Sequence, residues 1–136
     1  MGKALGIDYG AKRTGIAITD AMQFIASGLT TVKTNELDVF IANIVLEENI
    51  ECFVVGDPKN LDGTNTDSTR DINSFVRKLQ KLYPTISLYQ IDERFTSKIA
   101  RNTILASGIK KQARKDKALV DKVSATIILQ SYLDCK

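Results

Sequence analysis

The chain has 136 residues and a net charge of +3, with 43% hydrophobic and 26% charged residues. This composition is typical of one soluble globular domain with a buried core, and no apolar run is long enough to span a membrane. The chain contains no histidine, no tryptophan and only two cysteines, which excludes Ser-His-Asp and Cys-His catalysis, most zinc sites and a disulfide framework. We therefore expect a reducing, cytoplasmic location, and hydrolytic chemistry has to use carboxylates, hydroxyls, lysines or a hard metal ion.

Three short segments at the beginning of the chain have strand composition. They are KALGIDY, GIAITD after a turn from Gly10 to Thr14, and FIASGLTTV. Strands separated by such short turns pair with their neighbours, so these segments predict a three-stranded antiparallel meander.

The rest of the chain alternates helical and strand patterns. Apolar residues repeat with helical spacing over 37–45, which predicts a helix with Thr34 or Asn35 as its N-cap. The apolar runs ECFVVG and ISLYQIDE are predicted strands. Three further helices are predicted over 72–79 (ending before Pro84), 96–107 and 119–133, the last with Val120, Val123, Ile127 and Ile128 inward.

The resulting order, β-β-β-α-β-α-β-α-α, predicts an α/β fold. Strands that return through helical crossovers have to run parallel to the first strand. We therefore expect a mixed five-stranded sheet, with three antiparallel strands followed by two parallel strands, flanked by helices on both faces. Because no repeat or long linker divides the sequence, residues 1–136 are predicted to form a single domain.

Acidic residues end each of the predicted parallel strands. Asp8 ends the first strand, Asp57 follows Gly56 at the end of the next, and Asp92 and Glu93 end the last. The carboxyl ends of neighbouring parallel strands meet at one edge of a sheet, so these acids are expected to converge. Like charges repel unless a cation neutralises them, and hard oxygen donors indicate Mg²⁺ or Mn²⁺.

Each acid also has a simpler explanation. Asp8 before a tight turn is ordinary Asx-turn chemistry, although small Gly6 on the same strand face leaves room for a ligand. Adjacent Asp92 and Glu93 point to opposite faces, and the residues alone do not choose between them. Asp121 lies near the beginning of the last helix, where the helix dipole by itself favours an acid.

Four blocks of sequence resemble the motifs of a known family. GIDYGAKRTGIAITD, GDPKNLDGT, IDERFTS and DKVSATIILQSYL are similar, in this order, to the motifs of the YqgF/RuvX family, and the match extends from Ala4 to Leu133. The resemblance implies an RNase H-like nuclease domain over 1–136 and a cytoplasmic bacterial hydrolase that cleaves phosphodiester bonds in 5′-end maturation of pre-16S ribosomal RNA. An older proposal for the family, Holliday junction resolution on branched DNA, is the alternative.

Position by position, the resemblance implies that Asp8, Glu93 and Asp121 are catalytic and bind one or two Mg²⁺ (or Mn²⁺) ions. It favours Glu93 over Asp92. Asp57 stands where the family usually has an apolar residue, and its role stays open. From their charge and their place in the predicted fold, we hypothesise substrate contacts in the first turn, a polar loop and a basic segment; they are Lys12, Arg13, Asn60, Asp62, Gly63, Thr64, Lys110, Lys111, Arg114 and Lys115.

Positive charge is concentrated in one part of the chain. From Arg94 to Lys122, nine Lys or Arg residues stand against two acids, a balance of +7, which indicates either a solvated loop or a contact with a phosphate backbone. We expect a nucleic-acid partner, precursor rRNA before branched DNA, no membrane, and a monomer or homodimer. A non-catalytic nucleic-acid-binding module is the main rival, and an ATP-binding hairpin of the sugar kinase, Hsp70 and actin type is the weaker one.

Overall fold

The computed structural model describes residues 2–57, 69–92 and 117–135, with the side chains of 2–57, 70–92 and 122–134. The elements are β1 (Lys3–Asp8), β2 (Arg13–Thr19), β3 (Ala26–Lys33), a 3₁₀ turn (Thr34–Glu36), α1 (Leu37–Glu47), β4 (Ile50–Asp57), α2 (Thr69–Leu82), β5 (Ser87–Asp92) and α3 (Lys117–Cys135). All five predicted strands and three predicted helices are therefore confirmed, and the helix predicted over 96–107 lies outside the described residues. None of the helices in the described ranges is long and apolar enough to cross a membrane.

The strands form one sheet in the order β3-β2-β1-β4-β5. β2 pairs antiparallel with both β1 and β3, whereas β1, β4 and β5 run parallel to one another, as crossover connections require. This confirms the predicted mixed five-stranded sheet. β1 is the central strand, so its carboxyl end lies at the sheet edge beside the carboxyl end of β4.

The two faces of the sheet carry two different cores. On one face, large apolar side chains such as Phe53 and Ile72 are buried between the strands, α1 and α2. On the other face, small strand residues, among them Ala4 and Ala17, are buried against Leu129 of α3. We call these the α1/α2 face and the α3 face. Successive residues of a strand belong to opposite faces, so the position of a residue along its strand determines which helices it meets.

Helix α3 lies in close contact with the central strand. A Cβ atom on Gly6 would lie 2.9 Å from the Cβ of Leu129 and 3.1 Å from the carbonyl oxygen of Ala125, so β1 has no room for a side chain at this point. The expectation that Gly6 leaves space for a ligand is therefore wrong, because α3 occupies that space.

The close contact extends across three strands. Gly6 is paired with Ala17 of β2, and Ala17 is paired with Gly28 of β3. A Cβ atom on Gly28 would lie 2.8 Å from the Cγ of Lys122. One row of small residues thus crosses the sheet beneath the helix, and it lets helix and sheet pack without a gap.

The buried side of α3 differs from the predicted one. Among the side chains of 122–134, the buried ones are Ala125, Ile128 and Leu129, so Ile128 points inward as predicted. Val123 and Ile127, predicted to point inward with Ile128, are only half-buried, and the side chain of Val120 lies outside the described residues. The hydrophobic pattern predicts that the larger side chains are buried, whereas the row of small residues in the sheet packs against the small Ala125.

The predicted N-cap of the first helix is also wrong. Thr34 begins the 3₁₀ turn, and α1 starts at Leu37 after Glu36, whose side chain makes no capping hydrogen bond. The Thr34 hydroxyl binds the turn between β1 and β2 instead.

Replacing Gly6 by alanine is expected to destabilise the protein by about 1–3 kcal/mol, because the added methyl group is too close to the Cβ of Leu129 and the carbonyl oxygen of Ala125, which are fixed to the backbone of α3. Gly28→Ala is the matched control. Its methyl group meets a flexible lysine side chain, so the cost should stay below about 1 kcal/mol. Urea unfolding of both variants measures the difference, and equal stabilities would contradict the close contact between α3 and β1.

Candidate active site

Asp8 is the last residue of the central strand. Gly6, two residues before it, lies directly beneath α3, so strand alternation places Asp8 on the α3 face as well. The Asp8 side chain is half-buried. The carboxylate therefore lies at an edge of the sheet where both protein and solvent can reach it.

Glycine flanks Asp8 on both neighbouring strands. Gly15 of β2 is its partner in the antiparallel register. On the other side, β1 pairs with β4 in parallel, and Ile7 is the partner of Val55. Continuing this register by one residue brings Gly56 next to Asp8. Both glycines are buried, and neither places a side chain beside the carboxylate on the α3 face.

Two other acids of the same edge lie on the opposite face of the sheet. Asp57 and Asp92 are partners in the register of β4 and β5. Asp57 follows Val55 by two residues and Asp92 follows Leu88 by four, and both apolar residues belong to the α1/α2 core. The expected convergence at one edge of the sheet is therefore confirmed for these two acids, but they lie on the opposite face from Asp8.

The backbone of Asp121 lies in the first part of α3, while its side chain is outside the described residues. Asp121 precedes Ala125 by one helical turn, about 6 Å along the axis, and Ala125 contacts Gly6. Asp8 follows Gly6 by about 7 Å along the strand. The structure thus brings Asp8 and the backbone of Asp121 to the same helix–sheet interface.

Glu93 and most of the predicted substrate contacts lie outside the described residues. These contacts are Asn60, Asp62, Gly63 and Thr64 of the loop after β4, and Lys110, Lys111, Arg114 and Lys115 of the basic segment. Among the side chains that are described, no three Asp, Glu or Cys residues form a metal-binding group.

The two predicted cations of the first turn are described. Lys12 is exposed in the turn, and Arg13 is the half-buried first residue of β2. Arg13 precedes Gly15 by two residues, and Gly15 is the register partner of Asp8. Strand alternation therefore places Arg13 on the face and at the edge where Asp8 lies.

Thr34 fixes this turn from the end of β3. Its hydroxyl donates a hydrogen bond to the carbonyl oxygen of Gly10 at 2.6 Å, which leaves the Thr14 hydroxyl, 3.0 Å away, as the donor to Thr34. The Thr34 N–H donates to the carbonyl oxygen of Lys12 at 3.1 Å. Gly10 is required in this turn, because a Cβ atom there would overlap the carbonyl oxygen of Arg13.

Sequence reasoning missed this role of Thr34. The bonded side chains of Thr14 and Thr34 are 20 residues apart, and threonine at the end of a strand has no motif that signals such a contact. The sequence offers only an indirect indication. A short turn that carries two cations at a predicted site has to be fixed by hydrogen bonds from another segment, but the sequence does not say which.

Tyr9 follows Asp8 and lies on the other side of the sheet. Its ring stacks on Phe75 of α2, with ring centroids 4.8 Å apart. Burial, and then the nearby charges of Asp71 and Asp38, raise the pKa of Tyr9, so the phenol stays uncharged at neutral pH. These residues line a cavity of about 260 Å³ between α1 and α2, which lies on the opposite side of the sheet from Asp8.

The sheet order and the helices on its two faces define the RNase H-like class of folds. RuvC from Thermus thermophilus, solved in complex with Holliday junction substrate, matches 99% of this chain and 96% of its own, with a TM-score of 0.60 at 12% identity. A second structure of Thermus thermophilus RuvC gives a TM-score of 0.57 over 97% of this chain and 96% of that chain. At this level of identity the likeness shows the fold.

The chain belongs to the family described as RuvX: Holliday junction resolvase, which matches residues 2–135. A relative from Bacteroides fragilis named "Putative pre-16S rRNA nuclease" is 51% identical over 136 residues, which are 100% of this chain and 99% of the relative. Relatives of the same name from Porphyromonas gingivalis (98% of this chain, 97% of the relative) and Flavobacterium johnsoniae (100% and 99%) are 51% and 47% identical. The family expected from the four sequence blocks is confirmed.

Removing the Thr34 hydroxyl should loosen the turn that carries Lys12 and Arg13. Thr34→Val is expected to cost about 1–3 kcal/mol, because the buried Thr14 hydroxyl loses its acceptor. Thr30→Val, the same chemical change at a half-buried position of β3, should stay within about 0.5 kcal/mol. Amide hydrogen exchange of residues 9–13 measures the loosening, and unchanged protection in Thr34→Val would show that other contacts hold the turn.

Proposed function

We propose that this protein is a metal-dependent nuclease that hydrolyses phosphodiester bonds in the 5′-end maturation of pre-16S ribosomal RNA. The observation that carries the proposal is the position of Asp8. It ends the central strand between glycines of the two neighbouring strands, and it lies on the face covered by α3. Relatives with about half of their residues identical are named for this activity. We further propose that residues 1–136 act as one domain in the cytoplasm.

The proposed metal ligands are Asp8, Glu93 and Asp121. A set of carboxylate oxygens fits Mg²⁺ or Mn²⁺, and a chain without histidine offers no softer nitrogen donor. The position of Asp92 on the α1/α2 face supports Glu93, because one further step of strand alternation would return position 93 to the face of Asp8. Bound there, a divalent cation supplies Lewis-acid charge at the scissile phosphate and lowers the pKa of a water molecule.

The chain's own residues would bind and orient the substrate. Arg13, on the face of Asp8, is suited to bind a non-bridging phosphate oxygen through charge-assisted hydrogen bonds. Lys12 adds positive charge at the same turn, and Thr34 keeps both in place. The polar loop contributes amide and hydroxyl donors from Asn60, Asp62, Gly63 and Thr64, and the basic segment follows the phosphate backbone through Lys110, Lys111, Arg114 and Lys115.

Two alternatives have less support. Holliday junction resolution rests on the family description and on a likeness to RuvC at 12% identity, whereas the relatives near 50% identity are named for rRNA. A non-catalytic binding module has no need for a carboxylate at position 8, since negative charge there is unfavourable for phosphate binding.

Asp8→Asn should lower the cleavage rate more than about 100-fold, a loss of roughly 2.7 kcal/mol of transition-state stabilisation, without unfolding the protein. Asp57→Asn and Asp92→Asn are matched controls at the same edge, and both should retain most of the activity because they lie on the other face. The assay follows cleavage of a pre-16S leader RNA and of a four-way DNA junction with Mg²⁺, Mn²⁺ or EDTA. Full activity in Asp8→Asn, or cleavage in EDTA, would overturn the proposal.

RNA binding should weaken with salt in proportion to the number of phosphates that the basic segment contacts. If the five cations of residues 110–117 each neutralise one phosphate, log affinity should fall with log salt at a slope of about −3.5 for single-stranded RNA. Titrations of the non-cleaving Asp8→Asn protein measure this slope. Lys110→Ala/Lys111→Ala should make it shallower by about 1.4, and an unchanged slope in that variant would remove the segment from the binding surface.

A further inference from the structure

Helix α1 exposes aliphatic side chains on its solvent side. Val39 is 66% exposed and Leu46 is 85% exposed, and their separation of seven residues puts them on the same side of the helix. The solvent side of a helix in a globular protein normally carries polar or charged residues. Packing against the α1/α2 core does not account for this aliphatic pair.

A groove runs beside the pair. A cavity of about 420 Å³ lies between α1 and strands β2 and β3, with apolar walls that include Ile18, Leu29 and Phe40. At 100° per residue, positions 46, 39, 43, 47 and 40 of α1 lie within an arc of about 120°. The exposed pair and the groove therefore form one continuous area, the α1 surface, which comprises Ile18, Leu29, Val39, Phe40, Asn43, Leu46 and Glu47.

The charge around this surface is negative. Residues 34–57, which include α1, contain six acids and no Lys or Arg, and the charged residues that line the groove are Lys3, Glu47 and Glu48. Two of these acids are neutralised, because Asp38 pairs with Lys78 and Glu48 pairs with Lys3. Glu47 of the α1 surface forms no ion pair with any other described side chain, so its charge is available to a partner.

We propose that the α1 surface docks a protein segment that is basic and carries apolar side chains. The groove and the aliphatic pair would bury the apolar side chains, and Glu47 and its acidic surroundings would attract the cations. Nucleic acid is a poor occupant, because Lys3, the cation that lines the groove, is already paired with Glu48 and the charge of Glu47 repels phosphate. The inference rests on the proposed function in one respect. Nucleic-acid-binding proteins carry basic patches, so a nuclease that acts on precursor RNA would meet segments of this chemistry on its substrate.

The test compares the full-length protein with Val39→Gln/Leu46→Gln, which removes the aliphatic pair while keeping good helix formers. Leu82→Gln is the matched control, since Leu82 is 55% exposed at the end of α2, outside the α1 surface. The probe is a fluorescent amphipathic helical peptide of Leu and Lys, with a Leu and Glu peptide for comparison. Wild type and Leu82→Gln should bind the Lys peptide equally, the double variant about tenfold more weakly, and none of them the Glu peptide.

Three outcomes would overturn the proposal. The first is equal affinity of all three proteins for the Lys peptide. The second is self-association that sedimentation detects in the wild type and that the double variant loses, since the occupant would then be a second copy. The third is weaker binding of single-stranded RNA by the double variant. Cleavage of naked precursor RNA should be unchanged in the double variant, so a failure of docking and a failure of the proposed nuclease give different results.

Discussion

The contact between α3 and the row of small residues in the sheet is the interaction on which the candidate site depends. Gly6 has no side chain, and the Cβ of Leu129 and the carbonyl oxygen of Ala125 occupy the space where one would be. This contact holds α3 against β1 two residues before Asp8, and Lys122, the residue after Asp121, lies against Gly28 of β3. The positions of Asp8 and of the Asp121 backbone relative to each other are therefore set by packing, before any metal or substrate binds. Larger residues in the row would move the helix away from the sheet and separate the two positions.

The two faces of the sheet also distribute charge in a way that suits a carboxylate site. Four acids end the parallel strands, and an arrangement with all of them on one face would place more negative charge together than one or two divalent cations neutralise. Asp57 and Asp92 lie on the α1/α2 face, across the sheet from Asp8. In their place the α3 face has Gly15, Gly56 and the cationic Arg13. Asp57 thus lies across the sheet from Asp8.

The strands and helices could be predicted from sequence because their signals are local. Alternating and helical patterns lie within each segment, and crossover rules then determine the strand order. The choice between Asp92 and Glu93, in contrast, does not depend on a local signal. It depends on how β5 is registered against β4 and β4 against β1, and side-chain alternation within one strand carries no information about that register. The structure resolves the face of Asp92, which the residues alone left open.

Three other features could not be read from the sequence for related reasons. The bond between Thr34 and the first turn joins residues 24 apart and depends on where β3 ends. The inward position of Ala125 depends on a glycine in another element, whereas hydrophobic periodicity favours large side chains. The outward positions of Val39 and Leu46 could not be predicted, because α1 carries apolar residues on most of its sides and the pattern does not show which of them face solvent. In each case the deciding information lies in the contact between elements, which the pattern within one element does not contain.

Anomalous diffraction from crystals grown with Mn²⁺ tests the central claim most directly. The account predicts one or two ions on the α3 face at the end of β1, with carboxylate oxygens of Asp8, Glu93 and Asp121 within about 2.2 Å of manganese. An ion bound by Asp57 or Asp92 on the opposite face, or an Asp8 carboxylate without metal at saturating Mn²⁺, would contradict it.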